Sequence, residues 1–189
     1  MSAASAVFAE KGYASTRVAD IAEKAGVGKG TVYEYFSSKE ELLFAVFESI
    51  NENITLRMTA VLDDDEPTQE QLFNLLRLGA EVITEQRELQ PVILDFWAAS
   101  RGSNFEGKYQ QAVVASYSHY RNLVADFIRA GQARGEFRKE VDSETLAAMV
   151  VATIDGLGIQ LSFDTKLDPR RITEEFGHIL YEHLITESP

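Results

Sequence analysis

The sequence predicts an all-α protein of about nine helices, with a compact N-terminal three-helix unit followed by a larger helical domain. Three observations carry this. Apolar residues recur at helical spacing through most of the 189-residue chain. No run of alternating β-branched residues is bounded by turn residues. Breaks fall at Lys11-Gly12-Tyr13, Ala25 to Gly28, Asp63 to Pro67, Leu89-Gln90-Pro91, Arg101 to Asn104, Gly135-Glu136-Phe137 and Lys166 to Pro169. The first three helices these delimit are short and close together, and the later ones are long.

Composition narrows the class. Hydrophobic residues make up 45% and charged residues 25% of the chain, ordinary values for a globular protein. The reading finds no apolar run approaching the ~18 residues of a membrane span, so a cytoplasmic protein without a membrane partner is expected. With no cysteine, disulfides and thiolate metal sites are excluded. The formal charge of −12 argues against a nucleic-acid partner until its distribution is considered. Residues 1–46 carry five basic side chains (Lys11, Arg17, Lys24, Lys29, Lys39) and six acidic ones (Glu10, Asp20, Glu23, Glu34, Glu40, Glu41). The excess of acid therefore belongs almost wholly to residues 47–189, and a local basic patch remains free to meet phosphates.

From Thr16 the chain reads TRVADIAEKAGVGKGTVYEYF. Thr16 is a suitable N-cap, Arg17 follows in the first turn, and Val18, Ile21, Ala22 and Ala25 form the inward face of the second helix. Gly26 supplies the left-handed backbone of a tight turn, and Val27 is expected to plug the angle between helices. The third helix needs only Val32 and Phe36 for its apolar face. That leaves Lys29, Gly30, Thr31, Tyr33 and Tyr35 for a major groove: a cation, a glycine permitting close approach, and hydroxyls for phosphates and base edges. A plain helical hairpin with packed tyrosines is the bland alternative.

Phe8 to Leu42, FAEKGYASTRVADIAEKAGVGKGTVYEYFSSKEEL, resembles the DNA-binding domain of the tetracycline-repressor (TetR/AcrR) family position by position. The resemblance implies a dimer that sets two recognition helices in successive major grooves of a palindromic operator in double-stranded DNA. By position it places Lys29, Gly30, Thr31, Tyr33 and Tyr35 on the recognition helix. Lys39, and Thr16 or Arg17, would grip phosphates at helix starts, and Tyr13 and Phe36 would be core. Three residues depart from the family pattern: Gly28 stands where Ser is usual, Ala19 where many relatives carry Arg or Lys, and Glu34 where His is frequent. Met1 falls already inside the matching helix, whereas the family's first helix is usually preceded by several, often basic, residues; such an arm would carry further positive charge.

The resemblance divides the chain into a helix-turn-helix domain, residues 1–46, and a ligand-binding and dimerisation domain, residues 47–189. Helix four, Lys39 to Leu62, opens with a capping box of Ser38 and Glu41. It would connect the domains and change the spacing of the DNA-reading heads. Half-sites lie ~34–36 Å apart, so small shifts matter. A small, mostly apolar effector would bind among helices four to eight, with Phe73, Asp95, Phe96, Trp97, Tyr117, His119 and Tyr120 as candidate contacts. Asp95 could pair with a cationic ligand or stand as an exposed carboxylate. The last two helices, Asp142 to Phe163 and Asp168 to Thr186, would form the homodimer interface. Met149, Thr153, Gly156, Leu157, Phe176, Ile179, Leu180 and His183 are its candidate residues.

The expected function is thus a DNA-binding transcriptional regulator of the bacterial cytosol, by default a repressor released by its effector. No enzymatic activity, cofactor or metal is expected. Gly26-x-Gly28-x-Gly30 lacks the preceding strand and βαβ context of a nucleotide loop. Glu175-x-x-His178 lacks the second copy a di-iron site requires. A helical interaction module that has lost DNA binding is the rival reading, and predicts no salt-sensitive affinity for DNA.

Overall fold

A computed structural model describes residues 1–62, 67–99 and 106–185. Among them are nine α-helices: α1 Ser2–Ser15, α2 Val18–Ala25, α3 Lys29–Tyr35, α4 Lys39–Leu62, α5 Thr68–Glu85, α6 Gln90–Ala99, α7 Glu106–Arg134, α8 Ser143–Phe163 and α9 Pro169–Leu184. A single 3₁₀ turn, Arg87–Leu89, precedes α6, and one isolated bridge joins Phe137 to Ile185. The all-α expectation holds. Of the break expected at Asp63 to Pro67 all but Pro67 lies outside the described residues, as do the break expected at Arg101 to Asn104 and the expected end of α9 at Thr186.

Local chemistry sets the helix starts. Asp142 Oδ1 accepts from Thr145 N–H at 2.6 Å, and Asp168 Oδ1 from Arg171 N–H at 3.2 Å, capping α8 and α9. Ser38 Oγ accepts from Glu41 N–H at 3.1 Å, whereas the Glu41 carboxylate returns to the N–H and hydroxyl of Ser37, each at 2.7 Å. The expected capping box is therefore displaced by one residue on its return arm. The Ser37 contacts hold the Glu41 carboxyl below the usual range.

The chain packs as two compact units, residues 1–53 with 88–115, and residues 54–87 with 116–189. The first unit has a core of Val7, Phe8, Ile21, Val32, Leu43, Val46, Phe47 and Phe96, drawn from α1 to α4 and α6. The core of the second is built by α5, α7, α8 and α9, with Leu76, Ile128, Phe137, Ala147 and Leu184 among its most buried side chains. Within it α5 and α9 run in close contact. At Gly177 a Cβ would stand 2.9 Å from the Phe73 ring and 3.1 Å from Leu76, so α9 approaches α5 only because that position has no side chain.

One expectation from composition needs correcting. By length and composition alone, α8 is apolar enough to cross a membrane. It is nevertheless part of the protein core: Leu146, Ala147, Val150, Leu157 and Leu161 are buried. A second, outer stripe is not, since Met149 is 59% and Phe163 80% exposed.

Candidate nucleic-acid interface and effector site

The helix-turn-helix forms as its residues dictate. α2 ends at Gly26, whose φ of 69° and ψ of 27° are the left-handed cap, and Val27 N–H returns to the Ala22 carbonyl at 3.0 Å. Val18, Ile21 and Ala22 face the core, and Val32 is the buried residue of α3. Val27 does not plug the inter-helix angle; it is 44% exposed.

Lys29, Gly30, Thr31, Tyr33 and Tyr35 are all exposed, as is Glu34 among them. Tyr35 is 75% exposed, too far out for a packing role within the described residues. Lys29 Nζ lies 5.6 Å from the Tyr33 ring centroid, an orientation that keeps cation and phenol on the same outer surface. Gly28 caps α3 without a side-chain hydrogen bond, so the amides at this helix start have no cap oxygen where a serine would have supplied one.

Two of the residues expected to grip phosphates make hydrogen bonds within the protein. Thr16 is 2% exposed, and its hydroxyl donates to the Gly12 carbonyl at 2.7 Å; Arg17, not Thr16, is the N-cap residue of α2. Arg17 is exposed, and its N–H donates to Asp20 Oδ2 at 3.0 Å. That bond, with the ion pair from Lys11 at 3.2 Å, holds the Asp20 carboxyl below its ordinary value. Lys39 Nζ donates to the carbonyls of Tyr13 at 2.8 Å, Thr16 at 3.1 Å and Ala14 at 3.4 Å, and sits 4.4 Å from the Tyr13 ring centroid. An ammonium has three protons, and here all three close the C-terminal end of α1. Lys39→Met is accordingly expected to destabilise the protein by about 2 kcal/mol, through carbonyls left without donors. A shift of the urea midpoint, with a parallel loss of operator affinity, is the check. Unchanged stability with weaker DNA binding would return Lys39 to a phosphate.

The effector candidates fall into distinct environments. Asp95 accepts from Tyr13 N–H at 2.9 Å, tying α6 to the end of α1; it is half-buried, not the exposed carboxylate of the alternative reading. Phe96 is 1% exposed, stacked on Phe47 at 3.8 Å and on Tyr109 at 4.7 Å, and Trp97 packs at the edge of the same core. The Tyr109 hydroxyl donates to the Glu40 carbonyl. Burial, then the charges of Glu40 and Glu41, pushes this phenol up to about 12. These residues belong to the first unit.

In the second unit, Phe73 packs edge-on to His178 at 4.9 Å between α5 and α9, and His119 is exposed. Tyr117 and Tyr120 stand nearly perpendicular, with centroids 6.3 Å apart, beside a residue that sequence reasoning missed, Asp155 of α8. The Tyr117 hydroxyl donates to the Asp155 carboxylate. Burial is the main reason that this carboxyl is raised from 3.8 to about 6, the Tyr117 bond opposing it. The signal was present: Asp155 is the only charged residue of α8 between Leu146 and Ser162.

Of the candidate interface residues, Met149 and Ile179 are exposed, at 59% and 65%, and His183 is exposed with its Nδ1 2.9 Å from Arg138 Nη2. Thr153, Gly156 and Phe176 are half-buried. Leu157 and Leu180 are corrected: at 5% and 6% exposure they face the protein's own core, because the inward stripes of α8 and α9 include them. Among the described residues no group of three or more His, Asp and Glu is placed to hold a metal ion.

Comparison with known proteins accords with this geometry. Residues 1–46 match the family profile of bacterial regulatory proteins of the tetR family, and residues 67–184 that of the BetI-type transcriptional repressor C-terminal domain. The transcriptional regulator TtgR of Pseudomonas putida is 32% identical over 165 residues, covering 82% of this chain and 74% of that protein. The structure of the regulator FadR from Bacillus subtilis in complex with stearoyl-CoA superposes with a TM-score of 0.81 at 26% identity, covering 96% of each chain. That of a transcriptional regulator from Saccharomonospora viridis in complex with choline gives 0.82 at 26%, covering 98% of this chain and 95% of the other.

Proposed function

Because the chain belongs to the TetR family of bacterial transcriptional regulators and is itself a DNA-binding regulator, we propose that it is a cytoplasmic repressor. In this reading it binds a palindromic operator as a homodimer and is released by a small effector. The observation that carries it is the outer surface of α3, where Lys29, Gly30, Thr31, Tyr33 and Tyr35 are presented together while Val32 alone anchors the helix inward. Lys29 neutralises a phosphate or meets a guanine edge, and the tyrosine hydroxyls supply donors to the backbone or to bases. Arg17 adds a cation at the start of α2. Thr16 and Lys39 keep the frame of α1, α2 and α4 in which α3 is held.

Dimerisation is supported by the outer stripe of α8. At 100° per residue Met149, Ala152, Gly156 and Phe163 share one face, apolar and largely uncovered, and Ile179 of α9 is likewise exposed. A second copy would cover these residues, and a two-fold protein suits an inverted repeat. The choline and stearoyl-CoA complexes of the two structural relatives support a ligand-responsive second domain.

The test is fluorescence anisotropy with a duplex from the DNA upstream of the protein's own gene, against a scrambled duplex, over a salt series. Selective affinity that falls with salt is expected, weakened about tenfold by Tyr33→Ala, in the range for a lost base or backbone contact. Equal affinity for both duplexes throughout would favour the interaction-module reading.

A further inference from the structure

Glu34 is a carboxylate on the surface that the proposed function sets against a polyanion. It is exposed on α3, and among the described residues no hydrogen bond or ion pair engages it. Other acidic side chains of the first unit are held by the protein: Asp20 pairs with Lys11 at 3.2 Å, and Glu41 accepts from the N–H and hydroxyl of Ser37. Lys29, the cation of α3, lies 5.6 Å from the Tyr33 ring centroid and makes no ion pair with Glu34. The direction of Glu34 follows from the anchor of its helix. Val32 is buried, and at roughly 100° per residue Gly30 and Glu34 both fall nearly opposite it, on the outermost line of α3, with Thr31 and Tyr33 on the flanks. A Cβ placed at Gly30 meets nothing within 4 Å, so this line opens on free space among the described residues. The seven residues of α3 span about 10 Å, less than the ~12 Å width of a major groove, so its last turn stays in the groove with its first.

We propose that Glu34 is a specificity-determining residue whose carboxylate accepts from the N4 amino group of a cytosine in the major groove of each operator half-site. This rests on the reading of the chain as an operator-binding regulator, and names a base that the operator contains. On the outermost line of the helix a side chain meets base edges, whereas the flanks meet the phosphates of the groove walls. A carboxylate can only accept, so a base edge without a donor leaves it uncompensated close to the phosphates. Guanine presents the acceptors N7 and O6, and thymine the acceptor O4 and a methyl group. Adenine sets a donor beside the acceptor N7, a pattern that suits an amide, and cytosine presents its amino group with no acceptor on the same base. Gly30, one turn earlier on the same line, has no side chain to hold the helix away from those edges. Where no cytosine amino group is in place Glu34 adds repulsion, so one residue both favours the operator and weakens binding to other DNA.

The test is selection by the full chain from duplexes with about 20 randomised base pairs, room for two half-sites one helical turn apart, run for wild type, Glu34→Ala and Glu34→Gln. Fluorescence anisotropy then measures each protein on the wild-type consensus duplex and on duplexes changed at each position in turn. The consensus is expected to hold one cytosine per half-site whose change to any other base weakens wild-type binding about tenfold, the scale of one mismatched pair. Glu34→Ala should bind those changed duplexes about equally while reading every other position as wild type does, and Glu34→Gln should select adenine there. Glu34 is exposed, so both variants are expected to keep the fold, which circular dichroism melting checks. An affinity that Glu34→Ala raises by one factor on every duplex overturns the proposal, because it marks a carboxylate that only repels phosphates. A consensus that Glu34→Ala reads with unchanged discrimination removes the cytosine contact and leaves the regulator standing. Failure of the wild-type protein to enrich any sequence overturns both.

Discussion

Phe96→Ala is expected to lower the stability of the protein by about 3–5 kcal/mol, the range for truncating a buried aromatic side chain. Phe96 is 1% exposed, with one face on Phe47 at 3.8 Å and the other near Tyr109 at 4.7 Å, and Phe44 lies 6.1 Å away. Deleting the ring leaves a cavity bounded by three aromatics that are themselves fixed by α4 and α7, so the site has little freedom to collapse. The same core underlies α1 to α3, so operator affinity should fall with stability. Urea unfolding should show a lower midpoint with an unchanged slope. A variant as stable as wild type that responds poorly to effector would restore Phe96 to the ligand site.

Asp155→Asn is expected to stabilise the ligand-free protein at pH 8 by up to about 3 kcal/mol, and to change it little at pH 4. The folded carboxyl titrates near 6 and the unfolded one near 3.8, so below 3.8 both states hold the proton and the residue costs nothing. Between these values the folded protein retains a proton that the unfolded chain has released, and stability falls as pH rises. Above 6 the whole difference, about two units at 1.36 kcal/mol each, is a charge the fold tolerates. Asparagine cannot ionise, so the gap between variant and wild type should open across that interval. Thermal melts from pH 4 to 8 provide the comparison; a constant difference would show that Asp155 is solvated like an ordinary aspartate.

Much of the architecture was legible because its signals are local. Gly26 was read as a left-handed cap and is one; α4 begins at Lys39, where Ser38 and Glu41 placed its start; Asp142 and Asp168 cap the last two long helices. The exposed set on α3 followed from periodicity, since Val32 and Phe36 satisfy its inward face. Periodicity could not rank two apolar stripes on one helix. Leu157 and Met149 both read as interface residues on α8, yet only Met149 faces outward, because which stripe turns inward is decided by the helices opposite. Hydropathy likewise could not separate a membrane-length segment from a core helix with a second apolar face.

By itself, then, the sequence determined the helices, the Gly26 turn and the surface chemistry of the recognition helix, because each depends on residues within a few positions of one another. Tertiary structure alone decided the partners of residues far apart in the chain. It set Lys39 against the carbonyls of Tyr13, Ala14 and Thr16, and Asp95 against the N–H of Tyr13, 82 positions away. It also set Asp155 beside Tyr117 and Tyr120 of α7. The physical reason is the same in each case: a charged side chain takes whichever donor or acceptor lies within about 3 Å, and packing of distant elements determines which that is.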